Sequence, residues 1–291
     1  MRSTDRCTAY RLAWTLVALI LGSGATYAEE SQGADPEQKT SKVTQRHLRM
    51  LKMAEAFRVF ASDQADETAK LLKEPVFRWA NPQRDAVGGE VFLWTLKGRP
   101  HAAIGIWTYD DTAATDSYEV QSFASQPFRT SNPYRSWNPR DSGATFKPLP
   151  LAASPGKSKA LRLVQMRQLG RKRFAAAIKP NGSGQRVELR FLPTPVYRYK
   201  ELPPNVIDGA VFSFAQGTDP EVFLLLEARQ MERSGKTQEK WYFAFGTQTS
   251  VEASASLDGK QHWTNRQLGD SFQFTVRRPT TLDSVRFPDE F

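Results

Sequence analysis

The chain has 291 residues, a formal net charge of +9 and one cysteine. That length supplies a core for one large or two small domains. A lone cysteine excludes an internal disulfide and a thiolate zinc cluster.

From the N-terminus, residues 1–28 have the layout of a cleaved export signal. Arg2, Arg6 and Arg11 form a basic start, and residues 12–21 form an apolar run too short to span a bilayer. Small residues at Thr26 and Ala28 precede Glu29, so cleavage is expected between Ala28 and Glu29. Cys7 leaves with the signal, and the mature chain is cysteine-free. Loss of Arg2, Arg6 and Arg11 against Asp5 lowers the net charge to +7. In a periplasmic or secreted protein that charge points to an anionic envelope component or a protein partner, not to nucleic acid. No later apolar run is long enough for a transmembrane helix.

Residues 29–40 are polar and read as a flexible lead. Two units of one plan are expected next, at 41–139 and 158–278, joined by the Pro- and Gly-rich connector "RDSGATFKPLPLAASPGK" at 140–157 and followed by a tail at 279–291. The argument for two units is an offset of 120 residues that holds without gaps. "PVFRW" at 75–79 matches "PVYRY" at 195–199, "GEVFLW" at 89–94 matches "GAVFSF" at 209–214, and Pro100 matches Pro220.

Each unit opens on a helix. Thr40 or Ser41 can cap the first, in which Val43, Met50, Ala54, Phe57 and Ala61 fall near one face. The second, over 157–171, spreads its apolar residues widely, which predicts burial on more than one side. Strands follow. "GEVFLWTLKGRPHAAIGIW" predicts a hairpin turning at Lys97-Gly98, "QGTDP" is the matching turn, and Asn181-Gly182 predicts one hairpin more. Phe92 and Trp94 match Phe212 and Phe214 and mark a core face, whereas Leu93 matches Ser213 and marks a face open to solvent. The fold expected is α+β: a tandem duplication of a helix followed by an antiparallel meander, the helices packed on curved sheets.

Motifs for catalysis are absent: there is no H-E-x-x-H, G-x-S-x-G, P-loop or EF-hand loop. His47, His101 and His262 are far apart in sequence, so neither a metal site nor a catalytic set is assigned. His101 sits in "GRPHAAIGIW", ten residues similar to a strand of flavin-binding split barrels, but phosphate-binding partners are missing and no cofactor is expected. Asp219, Glu221 and Glu227 are the carboxylates that an acid–base pair would use. The binding candidates are Arg78 and Arg198, at matching positions opposite the aromatic face, and Trp263. Two such arginines can grip an anion if the sheets bring them together.

The strings "RWANPQR", "QMRQLGRKRF", "ELRFLPTPVYRY" and "DGAVFSFAQGTDPEVFLLLEAR" resemble a family of exported planctomycete-type bacterial proteins over most of residues 45–265. The resemblance implies export and a shared fold and supplies no catalytic residue. The expected function is a non-catalytic ligand- or partner-binding protein of the cell envelope. The alternatives are a hydrolase of envelope polymers or polysaccharide and a carrier of acyl chains. The signal reading has a direct check: mass spectrometry of the exported protein is expected to give Glu29 as its first residue, and a retained Met1 overturns it.

Overall fold

The computed structural model describes residues 36–277 except 83–84, 111–114, 134–136, 141, 181–183, 234 and 266–271. The expected signal at 1–28, the expected tail at 279–291 and the expected Asn181-Gly182 turn lie outside the described residues. Helix α1 (Pro36–Glu55) precedes β1 (Arg58–Val59), β2 (Lys70–Leu71), β3 (Phe77–Asn81), β4 (Ala86–Leu96), β5 (Arg99–Thr108), β6 (Thr115–Ser122), β7 (Thr130–Ser131) and β8 (Lys147–Pro148). Helix α2 (Lys159–Arg173) leads to β9 (Phe174–Lys179), β10 (Val187–Glu188), β11 (Arg190–Arg198), β12 (Val206–Gln216) and β13 (Asp219–Arg233). The chain then forms β14 (Lys236–Thr247), β15 (Glu252–Leu257), β16 (Lys260–Asn265) and β17 (Phe272–Arg277).

Among the described residues there are four sheets, all antiparallel. One runs β17-β6-β5-β4-β2, with β3 also on β4, and another runs β11-β12-β13-β14-β8. A four-stranded sheet, β10-β9-β15-β16, and the β1-β7 pair complete the set. Among the described residues strand makes up 52% and there are two helices, which overturns the α+β tandem duplication of helix and meander. The pairing says why. Strand β17, from the far end of the chain, pairs with β6 of the first sheet, and β8, from the expected connector, pairs with β14 of the second. Among the described residues, the β10-β9-β15-β16 sheet has no counterpart in the first half.

What recurs is a shared register over three strands. Phe77, Arg78 and Phe92 lie opposite Val91, Glu90 and Ile104, just as Tyr197, Arg198 and Phe212 lie opposite Val211, Ala210 and Leu224. A register shift follows Trp94 in β4 and Phe214 in β12, each ahead of its matching proline. The β4–β5 turn is as expected, with Lys97 at φ 48° and Gly98 at φ 80°. Glycine has a second role at Gly89 and Gly209. A β-carbon there would come within 2.4 Å of the Trp79 ring and 2.5 Å of the Tyr199 ring, so each ring lies flat on the neighbouring strand.

Helix α1 begins at Pro36, ahead of Thr40 and inside the stretch read as flexible; proline suits a first helical position because its missing N–H has no partner to lose there. Its Met50, Met53 and Ala54, with Phe57 just past its end, pack on Phe92, Trp94, Ile104 and Tyr118, while Val43 is half exposed. Ser158 caps α2, its side chain accepting from the Leu161 amide at 3.1 Å. The expected many-sided burial of α2 is not found: Arg162, Met166 and Gly170, four residues apart, are its buried line, and Leu161 and Val164 face outward.

The two large sheets stack face to face between these outer layers. Val91, Leu93 and Ala103 of the first meet Val211, Phe223 and Leu225 of the second. Leu93 is therefore 1% exposed and Ser213 0%, which corrects the expectation that this face is solvated. Serine is tolerated because its Oγ donates to the Phe214 carbonyl at 3.4 Å, which lowers the cost of burying the hydroxyl.

One end of the stack is closed by Glu227, which is 0% exposed. Arg99 of the first sheet donates to it at 2.8 and 3.1 Å, Arg229 at 2.6 and 2.7 Å, and the Tyr199 hydroxyl at 2.9 Å. Phe146 covers both guanidinium groups, at 5.3 and 4.5 Å from its ring centre. Burial and the Glu227 charge hold the Tyr199 hydroxyl well above its ordinary range. The substitution Glu227→Gln leaves two guanidinium groups without their counter-charge. It is expected to cost about 3 kcal/mol, read from the shift of the urea unfolding midpoint; an unchanged midpoint contradicts the role given to this carboxylate.

Candidate inter-sheet cavity

The other end of the stack is not filled. Glu221 precedes Glu227 by six residues on β13, or about 20 Å along an extended strand. There residues from the inner faces of the two sheets line a cavity of about 310 Å³. Trp79 of β3, Trp107 of β5, Tyr109 just after it, and Glu119 of β6 come from the first sheet. Asp219 and Glu221 of β13, with Gln248 and Thr249 just after β14, come from the second.

Local structure explains each position. On β6, Tyr118 and Val120 pack toward α1, so alternation sends Glu119 and Gln121 inward. Gln121 Nε2 donates to Glu119 Oε1 at 2.5 Å. On β13, Val222 and Leu224 belong to the outer core, which turns Glu221 inward. Gln248 is held at the end of β14 by its amide, which donates to the Glu221 carbonyl at 2.8 Å. Its side chain lies over Gly105, where an added β-carbon would be 2.8 Å from Nε2. Asp219 opens β13 beside the β12–β13 turn and accepts from Asn81 Nδ2 at 3.4 Å, and Thr218 in the turn donates to the Ala80 carbonyl. The turn is thereby tied to β3, which carries Trp79. Trp79 and Trp107 stand 6.2 Å apart, tilted by 40°.

The residues nominated from sequence lie elsewhere. Arg78 is exposed and donates to Glu90 at 2.9 Å, while His47 of α1 holds the other oxygen of that carboxylate at 2.9 Å. Arg198 donates to Asp208 at 2.6 and 3.2 Å, and Arg162 of α2 reaches the same group at 2.9 Å. Each arginine thus faces its own helix on an outer side of the stack, so the two do not converge and each has a local carboxylate. Trp263 is partly buried and packs against the outer core, its ring 5.9 Å from Phe245. His262 is exposed, 6.1 Å from the Phe243 ring. Of the carboxylates considered, Asp219 and Glu221 share the cavity and Glu227 does not.

Sequence reasoning singled out neither Trp79 and Trp107 nor Glu119 and Gln248 as site residues. The alternation in "SYEVQS" was the available signal for Glu119, but alternation alone does not say whether the polar face meets water or another sheet. Among the described residues, no group of three His, Cys, Asp or Glu is close enough to hold a metal ion. No helix among them is long and apolar enough to cross a membrane. No family model, curated protein or solved structure matches the chain.

His101 is a structural histidine. Its Nε2 donates to the Phe60 carbonyl at 2.9 Å and its ring lies 4.6 Å from Phe128. Burial lowers its pKa, and the Phe60 contact opposes that only in part. The unfolded chain therefore takes up a proton near the ordinary value of about 6.5 while the folded chain resists it. Stability is full above that pH and falls below it until the folded histidine titrates. Chemical denaturation between about pH 7.5 and about pH 5.5 is expected to show this loss, and His101→Gln, which keeps a donor for Phe60, is expected to reduce it. Equal losses in both proteins contradict the assignment.

Proposed function

We propose that the chain is an exported envelope protein that holds a small ligand in the inter-sheet cavity without transforming it. The observation that carries this is the lining: two tryptophans and a tyrosine on one side, acids and an amide on the other, in a space at the lower end of ligand-pocket sizes. Aromatic faces supply contact area and the polar groups fix orientation. Export rests on the basic start, short apolar run and small-residue exit of residues 1–28. The cavity replaces Arg78, Arg198 and Trp263 as the binding site, because those three are engaged in local ion pairs and packing.

A second reading, hydrolysis of an envelope polysaccharide, is favoured by one observation: Glu119, Asp219 and Glu221 reach a common space, as an acid and a base must. The acyl-chain reading finds no such support, since Met50, Phe57, Phe92 and Trp94 fill the layer under α1, and Met166, Phe212 and Phe214 that under α2.

The test is native mass spectrometry of the protein taken from its own envelope fraction. A small molecule is expected to be released intact, and its affinity to fall at least about tenfold in Tyr109→Ala and Asp219→Asn at unchanged melting temperature. A ligand indifferent to both substitutions overturns the site. Turnover of envelope glycans that Glu221→Gln abolishes overturns the non-catalytic reading in favour of hydrolysis.

A further inference from the structure

The excess positive charge of the chain is concentrated around α2. Between Asp141 and Glu188 the sequence has ten Lys and Arg and no Asp or Glu. Acids from other elements neutralise part of it: Asp208 pairs with Arg162 and Arg198, and Asp258 pairs with Arg173. Lys157, Arg171 and Lys172 are exposed and, among the described residues, form no ion pair; Arg167 is exposed and donates to the Pro193 carbonyl at 3.1 Å. At helical spacing Leu161, Val164, Gln168 and Arg171 fall on one stripe opposite the buried Arg162, Met166 and Gly170, with Arg167 and Lys172 flanking it. Leu161 is 50% exposed and Val164 46%. A second observation lies beside this stripe. Residues 150–156 run back along α2 as a strap: Arg173 donates to the Pro150 carbonyl at 2.7 Å, Gln165 to the Ser154 carbonyl at 3.1 Å and Arg162 to the Gly156 carbonyl at 2.9 Å. The strap sets Leu151 next to the basic last turn of the helix. Leu151 is 99% exposed and has φ 52°. A bulky residue adopts that conformation at a cost, and no burial of this side chain offsets it.

We infer that α2 and its strap form a docking surface for an anionic lipid bilayer. Leu151, Leu161 and Val164 enter the headgroup boundary, and Lys157, Arg167, Arg171 and Lys172 meet the lipid phosphates. Neither element contributes a residue to the lining of the inter-sheet cavity, so the inference is independent of how that cavity is read. Charge complementarity selects an anionic partner: each Lys or Arg close to an anionic bilayer adds attraction, and no acid on the helix opposes it. The exposed aliphatics choose among anionic partners. An acidic polysaccharide or a nucleic acid offers the same charge but no apolar phase, whereas the boundary between headgroups and acyl chains offers both. From Leu161 to Lys172 the face extends about 16 Å. That spreads its charges too widely for one phosphate and suits a surface.

The test is flotation of the exported protein, purified without detergent, with vesicles of phosphatidylglycerol and with vesicles of phosphatidylcholine. Binding at least about tenfold tighter to phosphatidylglycerol is expected, and it is expected to weaken with added salt. The pair Arg171→Gln and Lys172→Gln is expected to weaken it at least about tenfold. Leu151→Gly relieves the backbone, and Leu161→Ser alters a half-exposed side chain. Each is expected to weaken vesicle binding about threefold or more with no fall in melting temperature. Equal binding to the two kinds of vesicle, or binding to neither, overturns the inference. Dextran sulfate supplies the same charge without an apolar phase. Leucine variants that bind vesicles as the parent does, with dextran sulfate held as tightly, overturn the lipid surface in favour of an acidic polymer.

Discussion

A carboxylate with no access to water sits between two sheets at Glu227, and much of the architecture follows from holding it there. Its desolvation is offset only by close positive charge and hydrogen bonds on both oxygens. Arg99 comes from the first sheet, and Arg229 and Tyr199 come from the second. The contact is therefore also the lock that fixes the sheets against each other at one end. Tyr199 can reach it because Gly209 lets its ring lie on the neighbouring strand. Phe146, from the segment leading to β8, seals both guanidinium groups.

Fixing one end leaves the geometry of the other to sheet twist and loop length. Twisted sheets held at one corner diverge away from it. The cavity lies where β5, the start of β13 and the residues after β14 carry small or polar residues: Gly105, Asp219, Glu221 and Gln248. The same inner face thus carries acids at both ends. At Glu227 acid and base neutralise each other, and the result is structural. Around Trp79 and Trp107 the acids face a space, and the result is a candidate site. The outer ion pairs, Glu90 with Arg78 and His47, and Asp208 with Arg198 and Arg162, bind each helix to its sheet and are of the first kind.

The repeated motif misled in an instructive way. "PVFRW" and "PVYRY" do occupy matching registers, and Phe92, Trp94, Phe212 and Phe214 do face a core. The extension from three strands to a whole helix-plus-meander unit failed, because β17, β8 and the β10-β9-β15-β16 sheet join partners distant in sequence. Hairpins are local and their turns are written in residues such as Lys97-Gly98. Which strand completes a sheet edge is not local, and no short stretch encodes it.

The sequence by itself determined the hairpins, the alternation of faces and the outer core positions. Backbone preference and side-chain period act within a few residues, so these are visible without tertiary contacts. Only the tertiary structure decided that the polar-tolerant face of each sheet is buried against the other, that Arg78 and Arg198 stand on opposite outer sides, and that Glu119, Asp219, Glu221 and Gln248 meet. A polar residue at an alternating position looks the same whether it points to water or into a cavity. The difference lies in what a strand far along the chain places above it.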